Sequence, residues 1–357
     1  MSSFKHLIRD DIQALAAYHV QPAQRMLKLD AMENPYGLPK VLRDEIGSLA
    51  ANAEINRYPD PNASELKSRL REVMAIPAEA GLILGNGSDE LIQIIAMALA
   101  KPGAVLLAPE PSFVMFRMIA TFCGLRFVGV DLRDDFSLDE QAMLAAVREH
   151  KPAVTFLAYP NNPTGNLFNA DVVQRIIEDS PGLVVLDEAY FAFSPASFLP
   201  SLQRFPNLLV MRTVSKLGLA GLRLGLLAGA PEIIDELDKL RLPYNINVLT
   251  QRLAERLLQD YDLLQAQAAQ ICADRARLME ALASVPGVQP FESQANFILF
   301  RVPSASRVFD GLKRRGILLK NLSAGHPLLF DCLRVTVGTP EENEVFIKAL
   351  RDLVISS

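Results

Sequence analysis

Between residues of about 80 and 245, short unbroken apolar runs alternate with stretches of helical periodicity. The runs fall at residues 82–84, 104–107, 126–130, 154–157, 183–186, 208–211 and 224–227. They are continuous rather than alternating, as in strands buried on both faces of a sheet. The segment after the first run carries Leu91, Ile94, Ile95, Ala98 and Leu99 on one stripe, the 3.6-residue repeat of a core-facing helix. Strand and helix alternating over this length predict an α/β fold, a mostly parallel seven-stranded sheet between helices.

The rhythm changes after residue 247. Leu249, Leu253, Leu257, Leu264, Ile271, Leu278 and Leu282 make residues of about 247–284 one long helical region, closed by Pro286-Gly287. Shorter elements follow: a strand at 296–300, a helix around 308–315, a strand at 333–337 and a last helix from Glu341. This α+β pattern predicts a large domain over 45–250 and a smaller one made of 1–44 and 251–357, with the first ~35 residues packed against it.

Composition narrows the function. Of 357 residues, 50% are hydrophobic and 22% charged, as in ordinary globular proteins. A net charge of −5 and the lack of a Lys/Arg-rich run argue against nucleic acid or an acidic membrane as partner. Three widely spaced cysteines make no disulfide framework and suit a reducing compartment, so a cytoplasmic location is expected. The four histidines lack ligand spacing, so no metal site is expected. The N-terminus has no signal-peptide pattern, and no apolar run reaches the ~20 residues of a membrane span.

The candidate chemistry sits at successive strand ends. Lys216, in Thr213-Val214-Ser215-Lys216, follows a fully apolar run. Desolvation there lowers an amine's pKa and makes it a nucleophile able to form a Schiff base. Thr213, Ser215 and Arg223 nearby supply the hydroxyls and the guanidinium that a phosphate needs. Together they suggest pyridoxal phosphate (PLP). Gly85-Asn86-Gly87-Ser88-Asp89-Glu90 joins a strand to a helix. It reads as an anion-binding helix start or as an ordinary turn. Asp187, in Asp187-Glu188-Ala189-Tyr190, ends another apolar run, where a carboxylate needs a partner. A pyridinium N–H is one, and capping of the next loop is another. Asn162, in Tyr159-Pro160-Asn161-Asn162-Pro163-Thr164-Gly165, lies in a turn where open α/β sheets place ligands. Phe113 is a stacking ring or a core residue. Tyr58 reads as part of a surface turn, and Arg334 as an edge charge or an anion clamp.

In this order the motifs resemble those of the fold-type I PLP-dependent aminotransferases. The runs Glu33-Asn34-Pro35-Tyr36-Gly37, Arg57-Tyr58-Pro59-Asp60, Asn86-Gly87-Ser88-Asp89-Glu90 and Leu333-Arg334-Val335-Thr336-Val337-Gly338-Thr339-Pro340 are similar to the histidinol-phosphate aminotransferase subgroup. The resemblance spans nearly the whole chain. It implies transamination in histidine biosynthesis between L-histidinol phosphate with 2-oxoglutarate and imidazole acetol phosphate with L-glutamate. It also implies a homodimer. Lys216 would hold PLP and move the proton, Asp187 pair with the ring nitrogen, Asn162 and Tyr190 hold the ring oxygen, and Phe113 stack on the ring. Gly87, Ser88, Asp89, Thr213, Ser215 and Arg223 would surround the phosphate, joined by Tyr58 from the neighbouring subunit. Tyr18, Asn34, Lys320 and Arg334 would bind substrate. Met32, Phe113 and Lys320 depart from commoner residues of the subgroup. Alternatives within the fold are an L-threonine O-3-phosphate decarboxylase and another class I aminotransferase. A non-catalytic PLP-binding regulator is an alternative outside enzymology.

Overall fold

The computed structural model describes residues 4–17 and 21–355. In chain order its strands are β1 (Leu27–Lys28), β2 (Gly81–Asn86), β3 (Val105–Glu110), β4 (Arg126–Asp131), β5 (Val154–Ala158), β6 (Leu183–Asp187), β7 (Leu208–Thr213), β8 (Leu224–Gly229), β9 (Gln289–Pro290), β10 (Phe297–Arg301), β11 (Ile317–Leu318), β12 (Lys320–Asn321) and β13 (Cys332–Thr336). The seven predicted strands form one sheet in the order β2-β8-β7-β6-β5-β3-β4. Six of them point the same way, while β8 is antiparallel to both of its neighbours, β2 and β7.

Neighbouring residues of one strand enter opposite cores, which is why the runs are unbroken. Leu106, Phe156, Val185 and Leu209 join one apolar cluster, while Leu107, Leu157, Leu186 and Val210 join the other. Helices cover both faces, several with side-chain caps at their first turn. Asn169 accepts the N–H groups of Asp171 and Val172 ahead of the helix Ala170–Asp179. Asp139 and Asn247 do the same for Glu140–His150 and Val248–Leu257.

A second sheet, β12-β13-β10-β9, is antiparallel and builds a separate core around Phe297, Phe300, Val335, Phe346 and Leu350. The long helical region is two helices, Val248–Leu257 and Tyr261–Ala283, joined by one tight turn at Leu258–Asp260. The N-terminal residues divide between the two sheets. β1 pairs with β11 beside the second core. Arg9, however, donates to the carbonyls of Thr121 and Phe122 at the end of the helix Val114–Cys123, which belongs to the large sheet. Carbonyls in the last turn of a helix have spare acceptor capacity; Thr121 also takes the Gly124 N–H, and the guanidinium adds a donor to both.

One buried ion pair braces the sheet. The Glu188 carboxylate, 0% exposed, meets Arg212 at 2.9 Å and also accepts the Phe198 N–H and the Ser197 hydroxyl. Burial pushes its pKa up and Arg212 pulls it back. Arg212→Met strands that carboxylate. A loss of about 3–5 kcal/mol is expected, read as a lower urea midpoint. Adding Glu188→Gln should restore much of it; an unchanged midpoint in the single variant contradicts this account.

Candidate active site

The carboxyl ends of β3, β5, β6 and β7 reach the same edge of the sheet, and the predicted residues meet there. At the end of β7 the chain turns through the short segment Ser215–Leu219, kinked at Gly218 with its φ of 123°. Thr213 Oγ1 accepts the Ser215 N–H at 3.1 Å, fixing the turn that aims Lys216. The Lys216 side chain keeps contact with solvent at a cavity mouth but is otherwise packed in protein. Desolvation, then the nearby Arg334 guanidinium, lower its pKa to about 8. Its Nζ donates to the Ala31 carbonyl at 3.2 Å.

Asp187, the last residue of β6, is 4% exposed. Its carboxylate accepts the Ala189 N–H at 3.1 Å. Burial is the largest influence on it, and its pKa rises to about 7. An acid this costly to ionise is built for a cationic or N–H partner.

On the neighbouring strand pair, Gly87 has φ 80° and opens the helix Ser88–Leu99. Glycine suits the position because φ is left-handed; a Cβ there would also come 2.6 Å from Arg223 Nη2 and push that guanidinium aside. Free N–H groups at that helix start, the hydroxyls of Ser88, Thr213 and Ser215, and Arg223 make an anion cradle. Asp89 balances Arg223 at 3.7 Å.

Asn162 Oδ1 accepts from Arg334 Nη1, whose Nη2 donates to the Asp30 carbonyl at 3.0 Å. With its oxygen engaged, the Asn162 amide is left with Nδ2 as its donor. Tyr190 stands edge-on to Phe297, and Phe113 edge-on to Phe116.

All the expected cofactor residues except Gly87 and Tyr58 line one cavity of about 100 Å³. Met32, Phe113 and Asn162 also line an adjoining cavity of about 830 Å³, which holds Lys320 and Arg334. That size suits a small-molecule site. The amine, the buried acid and the anion cradle together fit pyridoxal 5′-phosphate by their chemistry.

Two expected residues stand elsewhere, and a third is not among the described residues. Tyr58 is 81% exposed and stacked on Tyr244, with centroids 4.5 Å apart, outside both cavities. Asn34 lines neither cavity. Its Nδ2 donates to Gln267 Oε1 and the Leu217 carbonyl and its Oδ1 accepts the Tyr36 N–H, so it braces the lysine turn instead of facing a ligand. Tyr18 lies outside the described residues. Conversely, Met32, Asp30, Glu110, Arg117 and His326 line the cavities without having been singled out as site residues. Glu110 carried the same signal as Asp187, a carboxylate closing an apolar strand.

The family model for aminotransferases of class I and II matches residues 24–350, and the chain belongs to that family. Within it the chain falls among the histidinol-phosphate aminotransferases. It is 56% identical to histidinol-phosphate aminotransferase 1 of Ralstonia nicotianae, over 96% of this chain and 93% of that one. It is also 56% identical to histidinol-phosphate aminotransferase 2 of Nitrosococcus oceani, over 96% of each. Among solved structures, the Sinorhizobium meliloti histidinol-phosphate aminotransferase in complex with pyridoxal-5′-phosphate is similar, with a TM-score of 0.88, 27% identity and 99% of each chain covered.

Proposed function

We propose that this chain transfers the amino group between L-histidinol phosphate and 2-oxoglutarate, in the histidine-biosynthesis direction consuming imidazole acetol phosphate and L-glutamate. The observation that carries this is Lys216 and Asp187 meeting in one buried pocket that opens into a cation-bearing cavity. Relatives of that name at 50–56% identity support the substrate. The decarboxylase and the non-catalytic regulator draw no comparable support.

When bound, pyridoxal phosphate takes up and returns the amino group and delocalises the electron pair left at the substrate Cα. Lys216 Nζ would hold the cofactor and would carry the proton to and from the substrate Cα. Its pKa of about 8 keeps a share of the amine neutral near pH 7.5. Asp187 accepts the ring N–H. Asn162 Nδ2 and the Tyr190 hydroxyl would hold the ring oxygen, and Phe113 would stack on the ring. Ser88, Thr213, Ser215, Arg223 and the helix start beside Gly87 take the cofactor phosphate. Arg334 and Lys320 bind the anionic end of the substrate, and Tyr18 is a further substrate-binding residue.

The enzyme works as a homodimer, in which exposed Tyr58 reaches the phosphate of the second copy. The large sheet with its helices forms a domain over 45–250, and 1–44 with 251–357 form the arm and smaller domain. The two separate sheets and cores support that division. No helix among the described residues is long and apolar enough to cross a membrane, and the cytoplasm is the proposed location.

The test is one half-reaction. Cofactor-loaded enzyme mixed with L-histidinol phosphate, without any keto acid, should lose its visible absorption band and gain a near-ultraviolet band. Addition of 2-oxoglutarate should reverse the change. An unaltered spectrum overturns the substrate, and carbon dioxide release from L-threonine phosphate overturns the reaction.

A further inference from the structure

Glu110 and Arg117 form a charged wall of the larger cavity that the mechanism above leaves without a task. Glu110 closes β3, and Arg117 follows on the helix Val114–Cys123. Arg117 donates through Nε at 3.1 Å and Nη2 at 2.5 Å to the two oxygens of Glu110, a bidentate pair. Its guanidinium carbon sits 4.2 Å from the centroid of the Phe127 ring, which steadies the plane of the group. Glu110 is seated on the adjoining strand β4. A Cβ at Gly129 would fall 2.0 Å from Glu110 Oε2, so the carboxylate occupies space that only glycine leaves open. Arg334 and Lys320 supply the cations elsewhere in the same cavity.

The two amino compounds of the proposed reaction make opposite demands on one cavity. The side chain of histidinol phosphate ends in an imidazole, whose ring N–H needs an acceptor. The side chain of glutamate ends in a carboxylate, which only accepts. A bare carboxylate wall repels glutamate, and a bare guanidinium wall offers nothing to an imidazole N–H. A wall carrying both groups, already paired at the cavity rim with Arg117 exposed and Glu110 partly buried, serves each in turn.

Resting on the reading of this cavity as the substrate site, we propose that the Glu110–Arg117 pair is the element that admits both substrates. Glu110 accepts the imidazole N–H of histidinol phosphate, and Arg117 takes the side-chain carboxylate of glutamate. Only two of the five N–H groups of Arg117 are engaged by Glu110, and the others make no further hydrogen bond among the described residues.

The two half-reactions, measured separately by absorption on the cofactor-loaded enzyme, distinguish this from a structural wall. Arg117→Met should raise the concentration of glutamate needed for half-maximal rate by ~10-fold or more, the size expected of a lost charged hydrogen bond. The value for histidinol phosphate should move less than ~3-fold. Glu110→Met should do the reverse, weakening histidinol phosphate while leaving glutamate unchanged or tighter. Gly129→Ala keeps every charge but displaces the Glu110 carboxylate, and should act in the same direction as Glu110→Met. Equal losses for both substrates in the two methionine variants, or a Gly129→Ala enzyme with wild-type values, overturn the proposal. Absence of a wild-type half-reaction with histidinol phosphate overturns the substrate reading and takes this proposal with it.

Discussion

Lys216→Ala is expected to abolish multiple turnover, with a fall of ~10⁴-fold or more, because one amine serves as both covalent anchor and proton carrier. The geometry leaves no substitute. Among the described lining residues of the smaller cavity, Lys216 is the one amine. Arg223 and Arg334, the other cations near it, carry guanidinium groups and offer no amine to take over the anchor. Burial has already brought Lys216 down to about 8, so near neutral pH its nitrogen works in both states. Product measured against enzyme equivalents checks this. The variant can complete at most a single exchange of preloaded amino group. Sustained turnover from a preparation free of wild-type enzyme would remove Lys216 from its role.

Asp187→Asn should separate stability from activity. The folded carboxyl titrates near 7 against an ordinary 3.8, so its folded pKa is raised. A raised acid favours folding below the unfolded value and loses that contribution as pH climbs through the folded one. Above pH 7 the cofactor-free protein therefore carries a buried charge costing on the order of a few kcal/mol. Asparagine removes that cost. Thermal melts of cofactor-free protein at pH 8 should place the variant above the wild type, with the gap closing toward pH 5. The cofactor reverses the order, because an aspartate pairs its charge with a protonated ring nitrogen, whereas an asparagine offers that nitrogen only a neutral hydrogen bond. Activity should drop by ~10²–10³-fold, the worth of a buried charged pair. A variant no more stable at pH 8 without cofactor, or as active as wild type with it, would contradict the assignment.

The sheet was legible because its physics is local. A strand covered on both faces has to be apolar at every position, and the runs at 154–157 and 208–211 announce that without reference to anything distant. Strand direction leaves no such mark. β8 reads like its parallel neighbours, yet runs antiparallel, because the tight Ser215–Leu222 connection sends the chain straight back beside β7. Lys216 and Asp187 were legible for the inverse reason, being charges placed where charge is expensive. Asn34 was not, since one asparagine can face a ligand or brace a turn, and only its bonds to Gln267 and Leu217 decide. Glu110 was overlooked because its partner Arg117 is contributed by the following helix and its seat by a glycine on another strand.

The order of the strands carries a consequence for how such an enzyme changes over time. Asp187 and Thr213 end β6 and β7, in the interior of the sheet, each flanked by hydrogen-bonded neighbours on both sides. Gly129 belongs to β4, the last strand at one margin, with a single neighbour. Substitutions at that margin reshape the room around Glu110 while the interior strands keep their register. A descendant can therefore acquire taste for a new side chain by altering the rim of its sheet, with the amine and the acid at its middle left as they are.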